Sequence, residues 1–288
     1  MTTVTRFAPS PTGRLHLGHA YSALFARQEA RTARGRFLLR IEDIDAGRCK
    51  PEFEAGIYED LSWLGLNWET PVRRQSEHIA EYQAAIDRLT GEGLLYPCFC
   101  TRAEIKAEIQ RSGAAPHGPP FDNHSGGPLY PGTCRDLEPD ERERRIAAAG
   151  PFALRLDVHK AAALAGEMFF RDVRHGRVLA EPEGFGDVVL ARKDIPTSYH
   201  LAVTLDDHAQ GITLVTRGAD LFPATHLHRL LQALLGLATP EYHHHKLLFG
   251  SGGRKLSKSE DAPTLQSLRE TGHSPEEVRL MAIAAATR

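Results

Sequence analysis

Apolar positions along this chain alternate between short continuous blocks of strand length and longer stretches that recur every three or four residues. Residues 4–8 form the first block and predict a buried strand. From Leu17 the recurrence of Leu17, Tyr21, Leu24 and Phe25 predicts a helix with that stripe inward, and Arg27 and Gln28 lie off it. Pro9, Pro11 and Gly13 stand between the two and predict a tight turn. Residues 36–41 are a second buried strand, closing in Glu42-Asp43-Ile44-Asp45. Carboxylates at the carboxyl end of a parallel strand sit where an open α/β sheet gathers its ligand groups. Phe53, Ile57, Leu61 and Leu64 predict a helix over 51–66, with Trp63 and Trp68 in the core. A further helix is expected over 76–89, with Ser76 as its N-cap and Gly91 and Gly93 ending the region. Residues 1–95 therefore read β-α-β-α-α, the front half of a doubly wound sheet.

The pattern lapses at Tyr96. Cys98-Phe99-Cys100 leads into a short helix over 102–110, then a Gly/Pro-rich stretch over 112–131 that has little with which to build a core. Strand-length runs follow at 152–156, 168–173 and 187–190, so 96–190 reads as an insertion. The α/β pattern resumes with an apolar run over 199–205 closed by Asp206-Asp207. A β-branched strand over 212–216 then ends in Arg217-Gly218-Ala219-Asp220. A helix over 223–235 turns Leu227, Leu230, Leu231 and Leu234 inward, and a short strand is expected at 246–249. Ser274-Pro275-Glu276-Glu277 is a capping box with proline at the first helical position, and opens a helical tail.

Composition adds bounds. The 288 residues are 41% hydrophobic and 25% charged, which suits an α/β protein with a sizeable core in two or three domains. No stretch approaches the roughly 18 apolar residues of a membrane span, and no basic-then-apolar leader opens the chain, so a cytoplasmic protein is expected. A net charge of −2 argues against a basic coat for nucleic acid but leaves room for a local basic face. In that compartment the four cysteines point to metal or chemistry rather than to disulfides.

Several clusters carry candidate chemistry. Strand, tight turn and helix start place backbone N–H groups and a helix dipole against an anion, and His16 and His19 share a face of that first turn. Taken alone they are equally two ordinary histidines at a helix start. The segment Gly250-Ser251-Gly252-Gly253-Arg254-Lys255-Leu256-Ser257-Lys258-Ser259 suits a polyanion clamp, or on its own a solvated loop. Arg6 and Glu42 alone would read as an ion pair across adjacent strand ends. Cys98, Cys100 and Cys134 are three soft zinc ligands in need of a fourth, for which His117 and His124 compete. Cys49 reads as an idle thiol. His243-His244-His245 is discounted as a metal tract because alternation along a strand leaves at most two of them on one face. Arg142 to Arg145 read as a solvated helix face.

His16-Leu17-Gly18-His19 and Lys255-Leu256-Ser257-Lys258-Ser259 match, in order, the paired ATP-binding motifs of class I aminoacyl-tRNA synthetases. Arg6-Phe7-Ala8-Pro9-Ser10-Pro11-Thr12-Gly13, Leu39-Arg40-Ile41-Glu42-Asp43-Ile44-Asp45, Tyr199-His200-Leu201-Ala202-Val203 with Asp206-Asp207, and Thr216-Arg217-Gly218-Ala219-Asp220-Leu221 resemble the glutamyl branch. The resemblance covers essentially the whole chain. One departure is large: glutamyl-tRNA synthetases continue into helical domains that read the anticodon, whereas this sequence closes at Arg288, soon after Ser259. It therefore resembles the glutamyl-Q-tRNA(Asp) synthetase family, a truncated relative.

That resemblance implies a Rossmann-type doubly wound parallel sheet. Its catalytic halves would be 1–95 and 191–240, with an inserted zinc-bearing α/β subdomain at 96–190. The region 241–288 would hold the ATP loop and a short helical stem, with no anticodon-binding domain. It implies an ATP-dependent ligase that forms glutamyl-adenylate without tRNA and passes glutamate to the queuosine base at the wobble position of tRNA(Asp). By the same resemblance His16, His19 and Lys258 are catalytic. Pro9, Thr12, Gly13, His16, Gly18, His19, Lys255, Leu256, Ser257, Lys258 and Ser259 bind ATP with Mg2+. Arg6, Ala8, Ser10, Glu42, Tyr199 and Arg217 bind glutamate. Cys98, Cys100, Tyr130 and Cys134 hold one structural zinc ion. A monomer that meets tRNA through its anticodon stem-loop, and no membrane, is expected. The rivals are a shortened glutamyl-tRNA synthetase, a non-catalytic synthetase-like binding protein, which the two intact ATP motifs disfavour, and a nucleotidyltransferase of the same fold. The last shares His-x-x-His without the glutamate-pocket residues.

Overall fold

The computed structural model describes residues 2–101, 103–105, 129–148, 150–192, 196–248 and 263–287. Its first unit is β1 (Val4–Phe7), α1 (Leu17–Thr32), β2 (Arg36–Ile41), α2 (Pro51–Trp63), β3 (Glu69–Arg74) and α3 (Ile79–Gly91). The strands β1, β2 and β3 pair in parallel in that order. Next come β4 (Leu95–Cys98), α4 (Pro139–Ala147), β5 (Ala153–Leu156), α5 (Val158–Ala165), β6 (Phe169–Asp172), β7 (Gly176–Leu179) and β8 (Val188–Ala191). The chain continues through α6 (Tyr199–Ala209), β9 (Leu214–Gly218), α7 (Ala224–Leu235), β10 (Glu241–His245), α8 (Leu265–Glu270) and α9 (Pro275–Thr287). β9, β10 and β6 pair in parallel, and β7 folds back on β6. β4, β5 and β8 form a separate antiparallel sheet.

The two parallel sheets meet where β1 runs beside β9. Thr213 N–H donates to Val4 O at 3.0 Å, and Val4 N–H to Thr213 Oγ1 at 2.8 Å. β1 thus has β2 on one side and β9 on the other. Chain connections diverge there, which opens a crevice at the carboxyl ends of the strands. One apolar core lies under β6, β9, β10, α6 and α7 and includes Phe170, Leu201, Val215, Leu227, Leu231 and Tyr242. A second joins β1 and β2 to α1, α2, α8 and α9 through Phe7, Leu39, Ile41, Ile57, Leu61, Leu265 and Val278.

Five expectations change. The fully buried face of α1 is Ala20, Ala23, Ala26 and Ala30, and Leu17, Tyr21, Leu24 and Phe25 only flank it. Small residues let the helix axis approach the strands, so the bulky side chains must splay to either side. The strand β3 has no apolar run: Glu69-Thr70-Pro71-Val72-Arg73-Arg74 is largely exposed along a sheet edge, a strand position where proline is tolerated. The helix expected at 76 opens as a 3-10 turn over Gln75–His78 and becomes α-helical at Ile79, and Ser76 does not cap it but donates to Asp43, from N–H at 2.8 Å and Oγ at 2.6 Å. Residues 246–248 of the strand expected at 246–249 are not strand (Phe249 lies outside the described residues), and the strand lies instead at Glu241–His245, where His244 and His245 are buried against polar partners. Trp63 and Trp68 are only partly buried against the second core.

Asp60, on α2, is 1% exposed, and among the described residues neither carboxylate oxygen has a hydrogen-bond partner; Arg269 of α8 stands 3.8 Å away. Burial pushes its pKa up to about 6, against a smaller opposing pull from Arg269. A carboxyl raised in the folded state contributes stability that is fully present below its unfolded pKa near 3.8 and is lost as pH rises through about 6. Asp60→Asn is therefore expected to raise the melting temperature at pH 7.5, by the equivalent of roughly 1–3 kcal/mol, and to leave it nearly unchanged at pH 4. Equal shifts at both pH values would contradict this.

Candidate active site

The turn from β1 into α1 is built around the two histidines. His16 is the N-cap: its Nδ1 accepts from Gly18 N–H at 3.1 Å, while His19 Nδ1 accepts from His16 N–H at 3.2 Å. This reciprocal cap uses Nδ1 of both rings as acceptors, which assigns the proton of each neutral imidazole to Nε2. The ring centroids are 3.9 Å apart, and the first turn of α1 carries no acidic residue. Adjacent N–H donors at the positive end of a helix dipole suit an anionic ligand.

A cavity of about 580 Å³ opens beside this turn. Arg6, Ala8, Pro9 and Ser10 enter it from the end of β1, and His16, Gly18 and His19 from α1. Glu42 enters from the end of β2, Tyr199 from α6 and Arg217 from β9. Thr12 and Gly13 stand in the turn outside the lining. Lys255, Leu256, Ser257, Lys258 and Ser259 lie outside the described residues, as do His117 and His124. Described residues on both sides of the 249–262 segment border the site. Leu248 lines the cavity, and Thr264 bridges to His16.

Arg6 and Glu42 do not pair with each other. Arg6 donates from Nε and Nη2 to the two oxygens of Asp207, at 2.9 and 3.3 Å, and from Nη1 to Thr216 O at 3.0 Å. Glu42 is held by Arg40 Nη2 at 3.1 Å. Arg40 is fully buried, and its Nη1 reaches Asp207 at 2.8 Å and Gln210 at 3.0 Å. Asp206 continues the network, accepting from Arg73, Gln75 and Tyr82 at 2.7–2.8 Å. Burial opposes ionisation of Asp207, but Arg6 and Arg40 outweigh it and hold its carboxyl below the usual range. For Glu42 burial wins over Arg40 and Arg6, and its pKa is raised.

Arg217 is oriented differently. It donates from Nε to His244 Nε2 at 3.1 Å, from Nη1 to His228 Nδ1 at 3.0 Å and from Nη2 to Thr225 Oγ1 at 2.7 Å. Sequence reasoning missed these partners, together with Arg40 and Asp207. The run His243-His244-His245 was the available signal: His244 holds Arg217, while His245 faces the cavity and shares a 2.9 Å hydrogen bond with Ser22 Oγ. Cys49 lies 3.9 Å from Ser10 Oγ, just behind the lining.

A second cluster sits at the end of β4. The sulfurs of Cys98, Cys100 and Cys134 all lie within 4.8 Å of one another. Tyr130 Oη is 3.5 Å from Cys98 Sγ and 3.7 Å from Cys100 Sγ. Phe99 N–H donates to Cys134 Sγ at 3.4 Å. Burial pushes the Cys100 thiol up to about 12. Three crowded sulfurs could hold a small thiophilic cation, and the Tyr130 oxygen lies beside two of them.

A family model for the catalytic domain of class I tRNA synthetases (E and Q) matches residues 2–284. The glutamyl-Q tRNA(Asp) synthetase of Rhodobacter capsulatus is 48% identical over 280 residues, covering 96% of this chain and 98% of that one. A glutamate–tRNA ligase of Aquifex aeolicus is 39% identical, covering 94% of this chain and 54% of the relative. Among solved structures, a glutamate tRNA ligase from Elizabethkingia meningosepticum in complex with its amino acid superposes with a TM-score of 0.76 at 28% identity. That match covers 98% of this chain and 60% of the other, so the chain spans about three fifths of that solved protein's length. A crevice at the switch point of a parallel sheet, a histidine-capped helix beside it and this match over nearly the whole sequence place the chain in the class I tRNA synthetase family of the glutamyl and glutaminyl type.

Proposed function

We propose that this protein activates L-glutamate with ATP, without needing tRNA, and transfers it to the queuosine base at the wobble position of tRNA(Asp). The observation that carries the reading is the single cavity in which Arg6, Glu42, Tyr199 and Arg217 meet the His16–His19 helix start. Activation asks for little covalent help from protein, and positioning with charge stabilisation does most of the work. The glutamate α-carboxylate attacks the α-phosphorus of ATP, the bond to the β-phosphate oxygen breaks, and pyrophosphate leaves. Arg6, Tyr199 and Arg217 hold glutamate's carboxylates, while Glu42 with Ser10 takes its ammonium. The Nε2–H groups of His16 and His19, with Pro9, Thr12, Gly13 and Gly18 around them, receive the phosphates. Lys258, supported by Lys255 and the rest of Lys255–Ser259, completes the phosphate side. Mg2+ arriving with ATP neutralises phosphate charge. In the second step the acceptor hydroxyl attacks the glutamyl carbonyl carbon and AMP leaves.

Glutamate-dependent ATP–pyrophosphate exchange is expected with the purified protein alone, and its absence would refute the activation step. Labelled glutamate should then pass to tRNA(Asp) bearing queuosine and not to the same tRNA lacking it. The second reading, favoured by the glutamate–tRNA ligase relatives, predicts charging of tRNA(Glu) at its 3′ end instead.

Cys98, Cys100, Tyr130 and Cys134 hold a structural zinc ion in this proposal, within an insertion subdomain at 96–190. The regions 1–95 and 191–240 supply the two catalytic halves, although β6 and β7 of the 96–190 stretch join β9 and β10 in one sheet; 241–288 supplies the ATP loop and stem, and the protein works as a cytoplasmic monomer. Zinc would tie β4 to the segment after Tyr130 and carry no step of the reaction. Elemental analysis is expected to find about one zinc per chain. Cys134→Ser should lose it and lower the melting temperature, with the exchange activity per folded molecule largely kept. A metal content near zero in wild type would overturn this assignment.

A further inference from the structure

Arg217 and Arg6 face the same cavity with unlike charge balance. Arg6 is matched by Asp207. Among the described residues no carboxylate is paired with Arg217. Its three partners, His244, His228 and Thr225, are all acceptors without formal charge when the rings are neutral. Guanidinium has five N–H donors. Among the described residues three are used, one on each nitrogen, which leaves one N–H on Nη1 and one on Nη2 for a carboxylate.

This arrangement works only if both rings turn an unprotonated nitrogen to Arg217. His244 does so because of the residue packed behind it. Asp172, at the end of β6, is 1% exposed, and its Oδ2 is 2.6 Å from His244 Nδ1. Its Oδ1 accepts from the backbone N–H groups of Arg174 at 2.9 Å and His175 at 3.0 Å. Both carboxylate oxygens are thus acceptors at fixed places, and the proton of His244 must sit on Nδ1. Its Nε2 is then the lone pair that meets Arg217 Nε–H. His228 is set the same way: Nδ1 accepts from Arg217, so Nε2 carries the proton and faces His200 Nδ1 at 3.1 Å. Burial first, and then the Arg217 charge, push the His244 pKa down to about 4 and that of His228 well below the usual imidazole range.

We propose that Asp172 is a positioning residue for amino-acid selection: by fixing His244 as the Nδ1–H tautomer it holds the Arg217 fork in place, with its charge left for an anionic group of the substrate. This rests on the reading that Arg217 meets a glutamate carboxylate. Selection against glutamine then falls mainly on Arg217, because a neutral amide leaves that cation uncompensated, whereas Arg6 already has Asp207.

Asp172→Asn tests this at nearly constant volume. The two backbone N–H donors keep the amide oxygen at the Oδ1 position, so the amide NH2 faces His244 Nδ1 and stabilises the other tautomer. His244 Nε2 then carries a proton, which faces Arg217 Nε–H at 3.1 Å and Thr225 Oγ1 at 3.3 Å, so Arg217 loses that acceptor. The expected result is a rise of roughly 10- to 100-fold in KM for glutamate in ATP–pyrophosphate exchange. KM for ATP should stay within about twofold, and the preference for glutamate over glutamine should fall. Nitrogen-15 NMR of the folded protein should show the His244 proton on Nδ1 in wild type and on Nε2 in the variant. His244→Phe, which packs but cannot accept, should raise KM alike, and the double variant should be no worse than either single one. An unchanged KM for glutamate in Asp172→Asn, or a His244 proton on Nε2 in wild type, would overturn the proposal. Arg217→Gln separates the two levels. If it too leaves KM for glutamate unchanged, the pocket reading has failed; if it alone raises KM, only the Asp172 role has.

Discussion

Arg217→Met is expected to reduce glutamate-dependent ATP–pyrophosphate exchange by roughly 100- to 1,000-fold, the scale of about 3–4 kcal/mol for removing one partner of a buried charge pair. Two losses add. The substrate carboxylate meets no cation at that wall of the cavity, and His244, His228 and Thr225 lose the donors that they accept from. Arg217→Lys keeps the charge but reaches at most part of this acceptor set, because an ammonium is a point charge without the planar fork. It should recover only a small part of the activity. Saturation kinetics check the prediction: the loss should appear in kcat/KM for glutamate, with KM for ATP little changed. A variant that stays folded and keeps wild-type KM for glutamate would contradict it.

Arg40→Met is expected to be the most destabilising single change near the site, by about 3–5 kcal/mol. Arg40 is fully buried and stands between Glu42, Asp206 and Asp207, at 3.1, 3.7 and 2.8 Å. A buried ion pair is a weak argument for net stability, but removing one partner strands the others without compensation. The effect should depend on pH with a definite sign. Asp207 is held below the usual carboxylate range by Arg6 and Arg40, so its contribution is present above its unfolded pKa of about 3.8 and lost as pH falls through the lower folded value. The gap between wild type and Arg40→Met should therefore be wide at pH 7 and narrow as the pH falls below the carboxylate range. Glu42, already raised by burial, loses its strongest opposing charge and should rise further. Any activity left should then decline on the acid side at a higher pH than in wild type. Thermal melts from pH 3 to 8 decide the first point and the pH profile of KM for glutamate the second.

Much of the architecture is legible in apolar periodicity. The strands around 4–7 and 36–41, the helix after Leu17 and the late strand ending at Arg217 carry runs that only burial explains. Where the pattern fails, the structure shows why. β3 is an edge strand and β10 buries histidines, so neither needs an apolar run. The stripe on α1 misleads because contact with the sheet selects small side chains. Local order also predicts the turn that brings His16 and His19 together, since three residues of chain fix their relation once the helix starts.

The sequence by itself determined the chemistry available: which residue types stand at the strand ends, a histidine pair at a helix start, and three cysteines with a tyrosine between them. Local chemistry is written in neighbouring letters, and so it can be read in order. Only the tertiary structure decided which charges meet. Arg6 pairs with Asp207 rather than Glu42, Arg40 sits behind the cavity, and among the described residues Arg217 finds imidazoles instead of a carboxylate. Arg6 and Arg40 lie 201 and 167 residues from Asp207, and Arg217 27 from His244; their meeting depends on the register with which β1, β9 and β10 come together. Electrostatic energy depends on distance and burial, and neither exists until the strands are side by side.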